Sequence, residues 1–393
     1  MEAFPLEDLF VIELASVLAG PAVGAFLAEL GAVVVKVESL QGDVTRTWLL
    51  PGEKPKNGVS AYFSSVNWGK KSIAIDLKNP ESKPVLEKLL QRADILISNL
   101  KPSSALKMGI AYEQIAHLYP SLIYGEITGY GSEDERVGYD AVLQAESGFM
   151  YLNAAPDGEP QKMPVALIDL LAAHQLKEGI LLALYQRLKS GKGAKVSCSL
   201  LKAAVTALAN QSAAVLYAGF EPRPLGTEHP SIFPYGALFP TQESKKIILA
   251  VGADRQFATL CQILGLPELA QDPRFATNAA RVENRDALRP LLAQRTKAFS
   301  LEALLTALRQ NQIPAGAIHT VPEALALPQI APLLLSCANG DGLRTVAFEA
   351  PFVKPFALSP PPTLGAHTQE VLQNWLFYDN AALVNLKNKK VVR

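Results

Sequence analysis

The stretch Leu9–Glu38, LFVIELASVLAGPAVGAFLAELGAVVVKVE, decides the fold. Its first run, Leu9 to Leu14, is short and almost wholly apolar, as a buried strand is. Gly20-Pro21 opens the next segment, and proline is tolerated at a first helical position because its missing N–H would be unpaired there anyway. Ala22, Phe26, Leu27 and Leu30 follow at helical spacing, Gly31 stops the helix, and Val33–Val37 returns as a second strand. Thirty residues therefore spell one strand-helix-strand unit.

The same grammar repeats. Ile73 and Ile75 mark a strand, Asn79-Pro80-Glu81 an N-cap and first turn, Leu86, Leu89 and Leu90 a helix, and Ile95–Ile97 a strand. A further helix-strand pair runs from about Tyr112 to Ile127. This alternation predicts an α/β fold with a parallel sheet covered on both faces, wound with right-handed crossovers in the Rossmann manner. A long helix from Asp169 to Leu188, apolar on most sides, reads as interior. Residues 200–218 read as one Ala-rich helix. The Pro/Gly-rich text from Glu221 to Pro240 marks passage into a second region, with a strand at Ile247–Val251 and helices near 260, 290 and 305. An irregular, proline-rich tail follows Pro332, with a short helix at Thr368–Leu376.

Composition narrows the function. The chain has 393 residues, 37 basic against 37 acidic, and 49% hydrophobic side chains, enough for a sizeable core and incompatible with disorder. A net charge of zero lacks the field that nonspecific nucleic-acid binding needs. Cys198, Cys261 and Cys337 form no Cys-x-x-Cys pair and are odd in number, which fits a reducing compartment. His117, His174, His229, His319 and His367 are scattered, so no metal site is expected. No secretory signal and no membrane-length apolar run is evident, and a cytoplasmic location is the expectation.

Glu38 at the end of the second strand suggests a dinucleotide enzyme, but the turn Ala19-Gly20-Pro21-Ala22-Val23-Gly24 lacks the G-x-G-x-x-G fingerprint. Asp169 opens the long helix after Met163-Pro164-Val165-Ala166-Leu167-Ile168. It can cap that helix or act as a nucleophilic carboxylate, and position alone does not separate the two. Lys70, Lys71, Lys78, Lys101 and Lys107 flank expected strand ends and form either a solvated surface or a phosphate site. His174 reads as a packed helix residue, Trp48 and Trp68 as core.

Several longer motifs occur together in order: Leu14–Pro21, Leu30–Glu38, Gly42–Arg46, Asn99–Pro102, Tyr139–Gly148, Asp272–Phe275, Ile313–Gly316 and Leu364–Thr368. In this set the chain resembles the class III CoA-transferases along nearly its whole length. The resemblance implies a Rossmann-like large domain from residues 1–220 and 331–393, a small domain over 221–330, and a homodimer of interlocked rings. It implies that Asp169 is the nucleophile and that CoA is contacted by Leu18, Ala19, Ile75, Asp76, Leu77, Lys78, Asn99, Leu100, Lys101, Lys107, Tyr139 and Asp140. Coenzyme A and its thioesters enter as substrates, with no tightly bound cofactor. The implied reaction moves CoA from an acyl-CoA to a small carboxylic acid, a dicarboxylate such as succinate among the candidates, through a covalent aspartyl intermediate.

Departures from the pattern sharpen this. Formyl- and oxalyl-type members have Gln where this chain has Leu18, a basic residue where it has Ser39, and a glycine tract in place of Gly226-Thr227-Glu228-His229, which argues against an oxalate-type substrate. Leu100 replaces a usual aromatic. The racemase branch has His where this chain has Tyr139, so epimerisation lacks its second acid/base. An acyl-CoA racemase and a noncatalytic CoA-binding member remain the alternative readings.

Overall fold

The computed structural model describes residues 4–353 and 356–393. The opening stretch folds as β1 (Phe10–Leu14), α1 (Ala19–Glu29) and β2 (Val33–Glu38). Pro21 falls third in α1 rather than first, still within the turn whose N–H groups have no intrahelical acceptor. Next come β3 (Lys71–Ala74), α2 (Lys83–Arg92), β4 (Ile95–Ser98) and β5 (Ile123–Thr128). They are followed by α3 (Asp140–Glu146), α4 (Leu167–Ser190) and β6 (Lys195–Ser199).

The six strands form one sheet in the order β3-β2-β1-β4-β5-β6, every neighbouring pair parallel. The chain builds outward from β1 in one direction and then returns to its other side at β4, so the winding reverses between β1 and β4. Open α/β sheets bind ligands beyond the carboxyl ends of their strands at such a reversal. Each face of the sheet carries its own apolar core. One is built with α1 and α4, the other with α2 and the C-terminal tail.

α1 is buried along its whole length, which its small side chains permit. Gly24 is required by contact: a Cβ there would run into the Glu13 carboxylate. α4, expected to be interior, is buried through Ile168, Ala172, Ala173, Leu176, Ile180 and Ala183. Its other side leaves Leu181, Leu182, Tyr185 and Leu188 exposed, Leu188 to 86%. His174 is exposed as well. The 200–218 segment is two helices, α5 (Leu200–Ala207) and α6 (Asn210–Ala218), broken at Ala209, which has φ 43°.

The C-terminal tail contains more regular structure than its prolines suggest. It forms a hairpin, Leu334–Cys337 with Gly340–Leu343, and a last helix at Asn380–Asn388. Beyond that helix, Val392 pairs with Ile75 and the Val391 carbonyl accepts the Asp76 N–H, covering the open edge next to β3.

Compactness divides the chain into two units: Met1–Phe149, Lys162–Phe220 and Pro332–Arg393 in one, Met150–Gln161 and Glu221–Ala331 in the other. The second has a three-stranded antiparallel sheet, Tyr235–Pro240, Lys246–Ala250 and Ala315–Ala317, packed with the helices Asp254–Leu264, Arg285–Thr296 and Leu301–Gln310 around its own core. Among the described residues, no helix is long and apolar enough to cross a membrane.

Candidate active site

The loops leaving β1 and β4 are tied together at the reversal: the Ser16 N–H donates to the Asn99 side-chain oxygen at 3.0 Å, and the Asn99 amide returns a bond to the Ser16 carbonyl at 2.8 Å. Beyond β1, Val17 sits at φ 70°, an unfavourable conformation for a β-branched residue. Its N–H points at both carboxylate oxygens of Asp43, at 3.3 and 3.4 Å. Asp43 is held in turn by Lys36 at 2.9 Å and by the Thr45 N–H and hydroxyl. Burial raises the Asp43 pKa, but the Lys36 charge and the Thr45 bonds outweigh it and hold the carboxyl below its ordinary range.

This anchor continues inward. Lys36 also pairs with Glu13 at 3.1 Å, and Glu13 pairs with Lys70 at 2.7 Å, all three almost fully inaccessible. Lys70 is thus no surface cation. It is buried before the start of β3, bonded to Glu13, the Pro21 carbonyl and Asn67, and burial lowers its pKa to about 8. Lys71 begins β3 and pairs with Glu370, so neither lysine stands at a carboxyl end. Glu38 accepts two bonds from Arg46, at 2.7 and 2.8 Å, and one from Ser72. It is committed to the fold and not free to hold a ribose.

Two adjoining cavities share Ser16, Asn99 and Leu100. One, of about 180 Å³, is lined by Leu18, Ala19, Lys101, Tyr139, Asp140 and Asp169. The other, of about 490 Å³, is lined by Ile75, Asp76, Leu77 and Lys78. Every residue of the expected site except Lys107 therefore lies along one groove over the carboxyl edge of the sheet. Lys107 ends the short helix Pro102–Lys107, exposed and outside both linings. Arg136, absent from the sequence reading, joins the first lining; it pairs with Asp134 and stacks over Tyr130 at 3.6 Å.

Asp169 is the third residue of α4, not its N-cap; that position is Ala166, whose side chain caps nothing. The capping acceptor is Asp140, which opens α3. One Asp140 oxygen accepts the Ile168 N–H at 2.8 Å and the other accepts from Gln144 at 2.7 Å. Gln144, itself buried, accepts the Met163 N–H at 2.8 Å. The irregular segment leading to Asp169 is therefore fixed by two side chains of α3. Asp169 is 8% exposed, and its pKa is raised to about 7, first by burial and then by the Asp140 charge.

Further round lies a third cavity, lined by Asp169, Asp140, Tyr139, Trp48, Tyr62, Ser65 and Lys162. Trp48 is partly exposed and meets Tyr62 edge-on at 5.1 Å, so it belongs to this wall; Trp68, by contrast, is buried. Burial and the charges of Asp169, Asp140 and Asp43 push the Tyr62 phenol up, which keeps it a hydrogen-bond donor. Among the described residues no group of three His, Cys, Asp or Glu side chains is placed to hold a metal ion.

The family model described as CoA-transferase family III matches residues 6–368. The chain belongs to that family. It is accordingly an enzyme that transfers CoA. The chain is 39% identical over 381 residues to a succinate–glutarate CoA-transferase of Agrobacterium fabrum, covering 94% of this chain and 95% of that one. To a human succinyl-CoA:glutarate CoA-transferase it is 36% identical over 398 residues, covering 99% and 90%. Among solved structures, a CaiB/BaiF family protein from Brucella suis superposes with a TM-score of 0.84 at 39% identity, covering 94% of this chain and 99% of the other.

The raised pKa of Asp169 has a consequence for stability. Between its ordinary value of 3.8 and about 7, the folded state keeps a proton that the unfolded state has lost, so stability falls as pH rises through that window. Asp169→Asn removes the penalty. The melting temperature of the variant should exceed that of the wild type at pH 8, with the gap shrinking toward pH 4; a gap independent of pH would mean Asp169 is not held protonated by the fold.

Proposed function

We propose that this enzyme moves CoA between succinyl-CoA and a second dicarboxylate of similar length, glutarate being the first to try, with Asp169 as the covalent carrier. The observation that carries the reading is a buried carboxylate at the first turn of α4, facing the groove at the sheet's reversal, in a chain whose similar relatives bear succinate and glutarate in their names. The phosphates of CoA would lie along the groove toward Lys78 and Lys101, with Leu18, Ala19, Ile75, Asp76, Leu77, Asn99, Leu100, Tyr139 and Asp140 as its walls. Lys107 would meet only the outer end of the ligand.

Ionised Asp169 attacks the thioester carbonyl and expels CoA thiolate, leaving an acyl-aspartyl anhydride. The thiolate then attacks the Asp169 carbonyl carbon of that anhydride, releasing the first acid as its carboxylate and leaving an aspartyl-CoA thioester. An incoming carboxylate repeats both steps in reverse. No step loses the thioester's energy to water. Each tetrahedral centre carries an oxyanion; Leu18 and Ala19, at the start of α1, line the same cavity as Asp169, and their backbone N–H groups would be the donors to receive such a charge. A nucleophile with a pKa about 7 is partly ionised at neutral pH, so kcat/KM should fall on acidification below that value.

We further propose a homodimer, supported by the unpaired apolar side of α4. Leu182 and Leu188 are 69% and 86% exposed there, and α6 adds Leu216 and Tyr217.

The transfer reading is tested by incubating the enzyme with succinyl-CoA and glutarate and identifying thioesters by mass spectrometry. Glutaryl-CoA and free succinate should form together in equal amounts, and Asp169→Asn should reduce turnover by at least ~10³-fold; α-hydrogen exchange without transfer would support a racemase instead. Light scattering should give about twice the 42.3 kDa chain mass, and Leu182→Lys with Leu188→Lys should reduce it to one; a monomeric wild type would refute the dimer.

A further inference from the structure

A dicarboxylate poses an electrostatic problem at this site. One of its carboxylates reacts with the carrier, but the other stays anionic in the acid, the anhydride and the thioester. The cavity it would enter, of about 460 Å³ beside Asp169, already carries the carboxyl groups of Asp140 and Asp169. A second anion in a partly desolvated space with like charges is disfavoured unless a cation meets it.

Lys162 is the only lysine or arginine among the residues lining that cavity. Its ammonium donates to the carbonyl of its own neighbour Met163 at 2.7 Å, and among the described residues it is in no salt bridge. Lys36 and Arg46, which do not line this cavity, are already paired, Lys36 with Glu13 and Asp43 and Arg46 with Glu38. The backbone next to Lys162 is fixed, because the Met163 N–H is held by Gln144, the residue that also binds Asp140. One segment, Lys162 to Asp169, bonded to α3 at Met163 and Ile168, therefore brings a cation and the carrier carboxylate to the same cavity. Trp48 and Tyr62 give an aromatic wall against which the methylene chain between two carboxylates can lie.

We propose that Lys162 is a specificity-determining residue, pairing with the distal carboxylate of the dicarboxylate while its other carboxylate reacts at Asp169. This rests on the dicarboxylate reading above. Lysine suits this role because its long stem allows the ammonium to leave the Met163 carbonyl for a substrate, and acids of slightly different length can be accommodated.

The test is a competition for one donor between glutarate and pentanoate, acids of equal chain length that differ in the second carboxylate. The ratio of glutaryl-CoA to pentanoyl-CoA, read by mass spectrometry, is independent of how much active enzyme is present. Wild type should favour glutarate, Lys162→Gln should lower the ratio roughly tenfold or more, and Lys162→Arg should keep it near the wild-type value. An unchanged ratio in Lys162→Gln overturns the assignment while leaving CoA transfer to dicarboxylates intact. So does loss of both products in Lys162→Gln, which would give the residue a role common to both acids. A wild type that makes both thioesters equally refutes selection by charge, and one that makes neither from any donor overturns the glutarate reading on which this proposal rests.

Discussion

The placement of the whole site depends on Glu13, a carboxylate inside the sheet that two lysines share. Lys36 and Lys70 approach it from β2 and from just before β3, and Lys36 passes the connection on to Asp43, which fixes Val17 in its left-handed conformation. Burial alone would lower the pKa of Lys36, yet Glu13, Asp43 and Glu38 together hold it above its ordinary value, so this lysine stays charged. Buried charges of this kind are tolerated because each finds an opposite partner and further hydrogen bonds, and removing one member typically costs about 3–5 kcal/mol. Gly24 leaves the room that the Glu13 carboxylate needs. The cluster does no chemistry of its own, but it sets where α1 begins and hence where Leu18 and Ala19 face the groove.

A second, smaller network does the same for Asp169. α3 supplies Asp140 and Gln144, which fasten Ile168 and Met163 and thereby the first turn of α4. The cost is electrostatic: the carboxylate that caps the helix also raises the pKa of Asp169. The same proximity gathers carboxyl groups in the cavity beside Asp169, the setting of the role proposed for Lys162. In the proposed function, helix capping, the pKa of Asp169 and the charge of the substrate are coupled through one residue, Asp140.

Much of this was legible in the sequence. Strand-helix alternation across 9–127 is a local periodic signal, and it predicted the parallel sheet. The motif agreement placed Asp169 and eleven of the twelve suggested CoA contacts on residues that line one groove. What was not legible depended on long-range partners. Lys70 looks like a surface lysine until Glu13, 57 residues earlier, is brought against it. Asp140 is singled out in the sequence as a ligand contact, and nothing there signals that it also caps α4 through Ile168 and binds Gln144. The Leu-rich helix reads as interior because composition does not say which side of it the rest of the chain covers, and the edge pairing of Val392 has no signal in a short tail.

The proposed chemistry turns on Asp169 becoming covalently attached. Brief exposure to succinyl-CoA without an acceptor acid, quenching with hydroxylamine and peptide mass spectrometry test this directly. The account predicts a hydroxamate on the Asp169 side chain that forms only when acyl-CoA is present. A hydroxamate on another carboxylate, or none at all while CoA transfer proceeds at full rate, would contradict it.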